Sequence, residues 1–135
     1  MSTFRLEVVT PERQVLVTEV ESVLLSTQAG QLGIWANHAP LIAGLEIGIL
    51  EYGSKHAGKK KVAIGGGFLE VANNKATILA NTAELAEEID VIRARESRRR
   101  AQQRLDDKEE EWKFTRAQLA LQKALARLKA ADASE

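Results

Sequence analysis

The chain has 135 residues, with nineteen basic and nineteen acidic side chains and a formal net charge of zero. That length allows one ordinary domain or a small body with an appendage, and neutrality argues against wholesale attraction to nucleic acid or anionic lipid. The absence of cysteine excludes disulfides and thiolate metal sites, and two histidines, His38 and His56, are too few for a histidine metal cage without carboxylates. No apolar run approaches the roughly 20 residues of a membrane span. No signal or transit segment opens the chain, so a soluble intracellular protein, or one held at a membrane through partners, is expected.

All nine glycines and both prolines lie at or before Gly67. Those two residues punctuate regular structure, so their disappearance divides the chain into a strand-and-turn body, residues 1–83, and a helical arm, residues 84–135. In the body, Phe4–Val9 precedes the turn Thr10-Pro11-Glu12. Gln14–Val20 and Ser22–Thr27 then alternate apolar and polar positions, placing Val15, Val17, Val23 and Leu25 toward one interior. Gln28-Ala29-Gly30 and Ala36-Asn37-His38 read as loops. Ile47–Tyr52 and Lys61–Ile64 read as partners across the loop Gly53–Lys60. Phe68–Val71 and Ala76–Ala80 flank Asn73-Asn74, and asparagine tolerates the positive φ of a tight hairpin. These short, mostly aliphatic strands predict an all-β sandwich.

Two glycine patterns invite a nucleotide reading and fail it. Gly53 to Lys60 nearly matches a phosphate loop, but Lys60 replaces the hydroxyl that would hold magnesium, and a strand follows instead of a helix. Gly65-Gly66-Gly67 has no lysine or helix start after it, so close strand packing or a bulge explains it better.

In the arm, Thr82 can cap a helix beginning near Ala83-Glu84, with Glu84, Glu87 and Glu88 in its first turns, where the dipole favours negative charge. A second acidic start, Asp106 to Glu111, predicts two helices of about 20 residues turning near Asp106-Asp107, with one continuous helix as the competing geometry. The second helix carries the stripe Phe114, Ala117, Leu121, Ala124, Leu125, Leu128, Ala131. The first carries Leu85, Ile89 and Ile92, and then its apolar face ends. From Arg93 to Arg104 there are six arginines against the single acid Glu96. A solvated face with an ordinary Glu96–Arg100 pair accounts for part of this run. Mutual repulsion among the guanidinium groups favours an external anionic partner. A nucleic-acid-binding helical hairpin is the alternative, weakened by the lack of interleaved aromatics for base stacking.

Ile89-Asp90-Val91-Ile92-Arg93-Ala94 resembles the I/L-D-x-x-R-A motif of ε subunits of bacterial F-type ATP synthases. Val8-Val9-Thr10-Pro11, the loop from Gly30 to Leu41, Gly66 to Val71, and Ile78-Leu79-Ala80 follow that family's order along nearly the whole chain. Trp35-Ala36 departs from the usual Leu-Pro. The resemblance implies a segregated α+β fold: an N-terminal β-sandwich followed by a C-terminal antiparallel two-helix hairpin. It also implies a non-catalytic rotor subunit of a proton-translocating complex at the cytoplasmic face of the bacterial cell membrane. The body would attach to the γ subunit and the polar loops of the c-ring near the Gly30–Leu41 loop and His38. The arm would permit turnover when folded and inhibit ATP hydrolysis when extended, with Arg93, Arg98, Arg99 and Arg100 facing the acidic loop of the β subunit.

The same resemblance implies ATP as a regulatory ligand of the folded hairpin, with no metal site. It points to Glu84, Ile89, Asp90, Arg93, Ala94, Arg100, Lys123 and Arg127. In a helix from Ala83, Ile89, Arg93 and Arg100 share one face beside Asp90. A hairpin turning at Asp106-Asp107 sets Asp90 level with Lys123 and Ala86 level with Arg127. Asp90 could accept a hydrogen bond from the adenine amino group, Ile89 and Ala94 could touch the ring, and the cations could neutralise phosphates. Lysine at 123 keeps charge but lacks the bidentate fork that arginine gives some family members there. No base, metal-ligand set or phosphate loop suggests hydrolysis at this site.

Overall fold

The computed structural model describes residues 2–54, 58–106 and 111–132, the side chains of 111–113 excepted. The tip of the Gly53–Lys60 loop, with His56, lies outside those residues, as does most of the expected turn after Asp106. Among the described residues, eight strands and two helices follow one another. β1 (Phe4–Val9), β2 (Gln14–Val20) and β3 (Ser22–Thr27) fall where hydropathic alternation puts them. β4 (Gly30–Trp35), β5 (Leu41–Ser54), β6 (Gly58–Ala72), β7 (Lys75–Ala80) and β8 (Ala83–Leu85) come next. A 3-10 turn (Ala86–Glu88) leads to α1 (Val91–Asp106) and α2 (Glu111–Ala130).

The strand order is β2-β1-β7-β6-β5-β3-β4, with β8 also on β6. The long β5–β6 hairpin belongs to both layers of a sandwich. Leu41–Leu45 pair with Gly67–Val71 in the layer of β7, β1 and β2. Ile47–Ser54 pair with Gly58–Gly65 in the layer of β3, β4 and β8. Between the layers, Leu6, Val8, Ile34, Leu50, Val62, Leu69 and Ile78 are fully buried and form one aliphatic cluster. The β6–β7 turn is the two-residue Asn73-Asn74, with φ of 53° and 57°, as a tight hairpin demands.

Val17, expected toward the interior, is exposed, because Leu16, Thr18 and Val20 are the β2 residues paired with the buried Val8, Leu6 and Phe4. Four further expectations need correction. Gly30–Trp35 is a strand rather than part of an irregular loop, paired along its length with β3; its two glycines mask the alternation. The separate runs Lys61–Ile64 and Phe68–Val71 are one strand. The triple glycine inside it is a close approach without a bulge, since the register with β5, and that with β7 and β8, is the same on either side of it. At Gly67, φ is 137° and a Cβ would come within 2.2 Å of the Leu79 carbonyl oxygen.

The third correction concerns the first helix, which begins at Val91 and not near Ala83. Ala83–Leu85 instead pair with Val62–Ile64, because β6 offers an open edge whose backbone groups would otherwise lack partners. Asp90 rather than Thr82 caps the helix: its Oδ1 accepts the Arg93 backbone N–H at 3.1 Å. Fourth, Leu85, Ile89 and Ile92 do not form its buried face. Leu85 is in β8, Ile89 is extended (φ −76°, ψ 125°), and Ile92 is 73% exposed.

What α1 buries is Ala94 and Ala101, against α2. In turn α2 lies on β5 and β6, so it is the middle layer. Ala117, Ala124 and Leu128 of its expected stripe are buried, and so are Ala126 and Ala130 outside the stripe, because α2 is covered on two sides. On β6 the consecutive burial of Val62, Ala63 and Ile64 has the same cause: the core covers one face and α2 the other.

Gly67→Ala should lower the urea midpoint by an amount equivalent to about 1–3 kcal/mol, since both strain and a backbone clash must be relieved. Gly30→Ala, with φ of 117° but nothing within 4 Å of the added methyl, should cost less. Equal losses for the two variants would contradict the tight β6–β7 approach.

Candidate functional site

The 3-10 turn, the cap of α1 and the last turn of α2 enclose a cleft of about 190 Å³ lined by Glu84, Glu88, Asp90, Arg93, Ala94, Ser97 and Arg127. β8, the 3-10 turn, an extended link and the start of α1 bring six of these from a short stretch of chain, and α2 supplies Arg127. The Arg127 Nε–H donates to Glu84 Oε1 at 2.6 Å, joining α2 to the sandwich. Among the described residues no ion pair engages the Arg93 guanidinium, which is exposed. Ala94 supplies buried apolar surface between the two cations.

The carboxylates are held. Asp90 spends one oxygen on the helix cap and keeps acceptor capacity on the rest of its carboxylate. Glu88 Oε1 accepts from Arg13 Nη2 at 2.9 Å and from the Leu85 backbone N–H at 3.0 Å. The Arg13 hydrogen bond first, then the Leu85 N–H, hold the Glu88 carboxyl below its ordinary pKa. The same contact holds the Arg13 guanidinium above its ordinary value. Across the sheet, Lys61 Nζ donates to Asp132 Oδ1 at 2.6 Å, and that hydrogen bond raises the Lys61 pKa.

Of the expected ligand residues, Glu84, Asp90, Arg93, Ala94 and Arg127 come together. Lys123 lies next door, beside Glu84, Arg127 and Ala126 in a smaller recess against Ala63–Gly65 and Thr82. The helices end and begin at Asp106 and Glu111, so the pairing level shifts from that of a turn at Asp106-Asp107. Arg127 rather than Lys123 therefore stands with Asp90. Ile89 and Arg100 are absent from the lining. Ile89 precedes the helix, and Arg100 sits 3.9 Å from Glu96, the expected i,i+4 pair, with Ser97 Oγ at 3.4 Å. Glu88 and Ser97 were not foreseen. Ser97 follows Arg93 by one turn, the only hint the sequence offers.

The cleft combines cationic, apolar and acceptor groups. Two guanidinium groups beside an alanine floor and a carboxylate with spare acceptors suit phosphates and a base edge. The volume is below the roughly 300 Å³ at which compact ligand pockets begin, so a whole nucleotide would reach past the mouth toward Lys123. Among the described residues no cluster of acidic or histidine side chains is arranged to hold a metal ion.

A second surface lies on the outer face of the β7–β6–β5 layer. Phe68 and Leu79 are cross-strand partners, Gly44 stands opposite Phe68, and Ile42 follows on the same face. Phe68, Leu79 and Ile42 are all more than half exposed. The loop carrying His38 adjoins this face: the Asn37 backbone N–H donates to Asn74 Oδ1 at 2.7 Å, and His38 Nδ1 lies 2.7 Å from the Ala39 carbonyl oxygen. Of the four arginines expected to meet an acidic partner, Arg93, Arg99 and Arg100 are exposed and Arg98 is half-buried.

Two family models match: the ATP synthase, Delta/Epsilon chain, beta-sandwich domain over residues 3–86, and the ATP synthase, Delta/Epsilon chain, long alpha-helix domain over residues 87–132. The ATP synthase epsilon chain of Syntrophomonas wolfei is 47% identical over 97% of this chain and 96% of its own. That of Symbiobacterium thermophilum is 46% identical over 98% and 96%. Among solved structures, a chain of the Euglena gracilis mitochondrial ATP synthase (OSCP/F1/c-ring) superposes with a TM-score of 0.81 at 24% identity, covering 97% of this chain and 82% of that one. At that identity the likeness speaks to the fold alone.

The lowered pKa of Glu88 fixes the sign of a pH effect. A depressed carboxyl stabilises the fold above its unfolded pKa, and that contribution is lost as pH falls through the folded value. The Glu88 side-chain carboxyl should therefore titrate below 4.5, its ordinary value, when followed by NMR. The Leu85 amide should lose exchange protection over the same acidic interval; a midpoint at or above the ordinary value would refute the Arg13–Glu88 contact.

Proposed function

The chain belongs to the ATP synthase delta/epsilon chain family, and on that premise we propose that it is the regulatory ε subunit of a bacterial F-type ATP synthase whose folded arm binds ATP. In this reading the sandwich attaches to γ and to the polar loops of the c-ring at the cytoplasmic face of the membrane. The apolar strip of Ile42, Phe68 and Leu79 supplies dry contact area, and the adjoining His38 loop supplies polar contacts. No helix among the described residues is long and apolar enough to cross a membrane, so attachment runs through these surfaces. The subunit is not catalytic.

One observation carries the ligand reading: Arg93 of α1, Arg127 of α2 and the acids of residues 84–90 meet in a single cleft that exists only while the hairpin is folded on the sandwich. ATP supplies the phosphate charge. Arg93 and Arg127 offer it donors from opposite walls, Ala94 offers apolar contact, and Asp90 offers an acceptor to a base amino group. A ligand that fits one arrangement of the arm and not another stabilises that arrangement by its binding free energy. High ATP then favours the folded, non-inhibitory arm. At low ATP the arm opens, and Arg93, Arg98, Arg99 and Arg100 become available to the acidic loop of the β subunit.

Titration of the purified chain with ATP should raise its melting temperature by roughly 10 °C once ligand exceeds the dissociation constant about a hundredfold. Asp90→Ala and Arg93→Ala should each reduce that shift strongly. A parent chain whose melting is insensitive to ATP would refute the ligand reading. For regulation, a chain ending after Glu88 keeps β8 on β6 and should still assemble into the complex. Hydrolysis by the reconstituted complex should lose its inhibition and its dependence on ATP concentration when that chain replaces the full one. Identical hydrolysis with either chain would refute the regulatory role.

A further inference from the structure

The cleft is a poor anion site if its lining is counted alone. Glu84, Glu88 and Asp90 carry three negative charges against two positive ones on Arg93 and Arg127. Two of the acids are held within the cleft: Glu84 by Arg127 and Asp90 by the backbone it caps. Glu88 differs, because its cationic partner comes from outside the lining. That partner is Arg13, in the turn between β1 and β2, whose Nη2 lies 2.9 Å from Glu88 Oε1 across 75 positions of sequence.

We propose that Arg13, a residue of the sandwich, is a positioning residue of the nucleotide site, turning the Glu88 carboxylate to itself and cancelling a charge that would repel phosphates. With Arg13 counted, the charges about the cleft balance. The inference rests on the ATP reading above and adds a condition to it. Closure of α1 on α2 is insufficient for binding; residues 84–88 must also be seated on the β1–β2 turn. When that seat is lost, Glu88 is released and the cleft is again net negative. By linkage, bound nucleotide holds the segment to the sandwich as firmly as the seating favours nucleotide. The arm and the body therefore report to the ligand together.

The test is calorimetric titration of ATP into the full chain and into Arg13→Ala, Glu88→Gln and the double variant, at low ionic strength. Arg13→Ala should bind roughly three- to tenfold more weakly, the scale expected of one partly exposed charge left uncompensated. Glu88→Gln should bind more tightly than the parent, and the double variant should return to the parent's affinity within about twofold, because it removes one charge of each sign. Raising the salt concentration should shrink the Arg13→Ala defect. Parent-like affinity for Arg13→Ala would overturn the inference while leaving the ATP reading intact. So would a double variant as weak as Arg13→Ala, whether because Arg13 touches the ligand or because its loss disturbs folding. A parent that binds no ATP would overturn both.

Discussion

The backbone pairing of Ala83–Leu85 with Val62–Ile64 is the constraint on which the arrangement depends. An interior strand of the sandwich had an open edge, and the chain leaving β7 continues along it in the same register after a brief break at Asn81-Thr82. That choice fixes where the sheet ends and the arm begins. It places Glu84 toward α2, brings Glu88 to the β1–β2 turn, and delivers Asp90 as the cap of α1. A helix started at Ala83 would have set Glu84 and Glu88 one turn apart on a single face and left Asp90 inside the helix instead of at its cap. The cleft is the outcome of a strand satisfying its hydrogen bonds, not of helix propensity.

The arm is layered, and its layers differ in how firmly they are held. α2 is covered on both sides, by the sheet and by α1, and buries Leu128 together with Ala117, Ala124, Ala126 and Ala130. α1 contributes only Ala94 and Ala101, at heptad spacing, against alanines of α2 at the same spacing. Alanine allows close approach but removes little apolar area from water, so each contact stabilises modestly. The ion pairs Arg13–Glu88, Glu84–Arg127 and Lys61–Asp132 remain partly or largely solvated and add direction more than energy. Such an arm keeps a defined folded state while α1 buries no large greasy face, which suits the proposed ligand control. This is what a ligand-controlled element needs, because a modest differential affinity then suffices to move the population.

Charge in the cleft follows the same economy. Each carboxylate has a fixed duty: one caps a helix, one orients the arginine of α2, one turns to the sandwich. Arg93 keeps its donors, and Arg127 keeps those not spent on Glu84. An equal number of acids and bases scattered without those duties would bind nothing in particular. The specificity lies in which partner holds which oxygen, and those partners come from four separate parts of the chain.

Much of this was legible in the residues themselves. Alternation gave β1, β2 and β3 to the residue, Asn73-Asn74 announced its turn, and the loss of glycine and proline after Gly67 marked the change to helix. Asp90, Arg93 and Ala94 stood out by spacing and resemblance. The reading failed where an element's state is decided by a distant neighbour. Thr82 looked like a cap because nothing local revealed the vacant edge of β6. Ile89 was counted on the face of Arg93 because the helix was started at Ala83, and Arg13 looked like an ordinary surface cation. Sequence alone determined periodicity, turns and the supply of charge, since these are properties of residues close along the chain. The tertiary structure decided the strand at 83–85, the level at which the helices meet, and the union of Arg13 with Glu88. Those are settled only when unpaired backbone groups and unlike charges far apart in sequence are brought within reach.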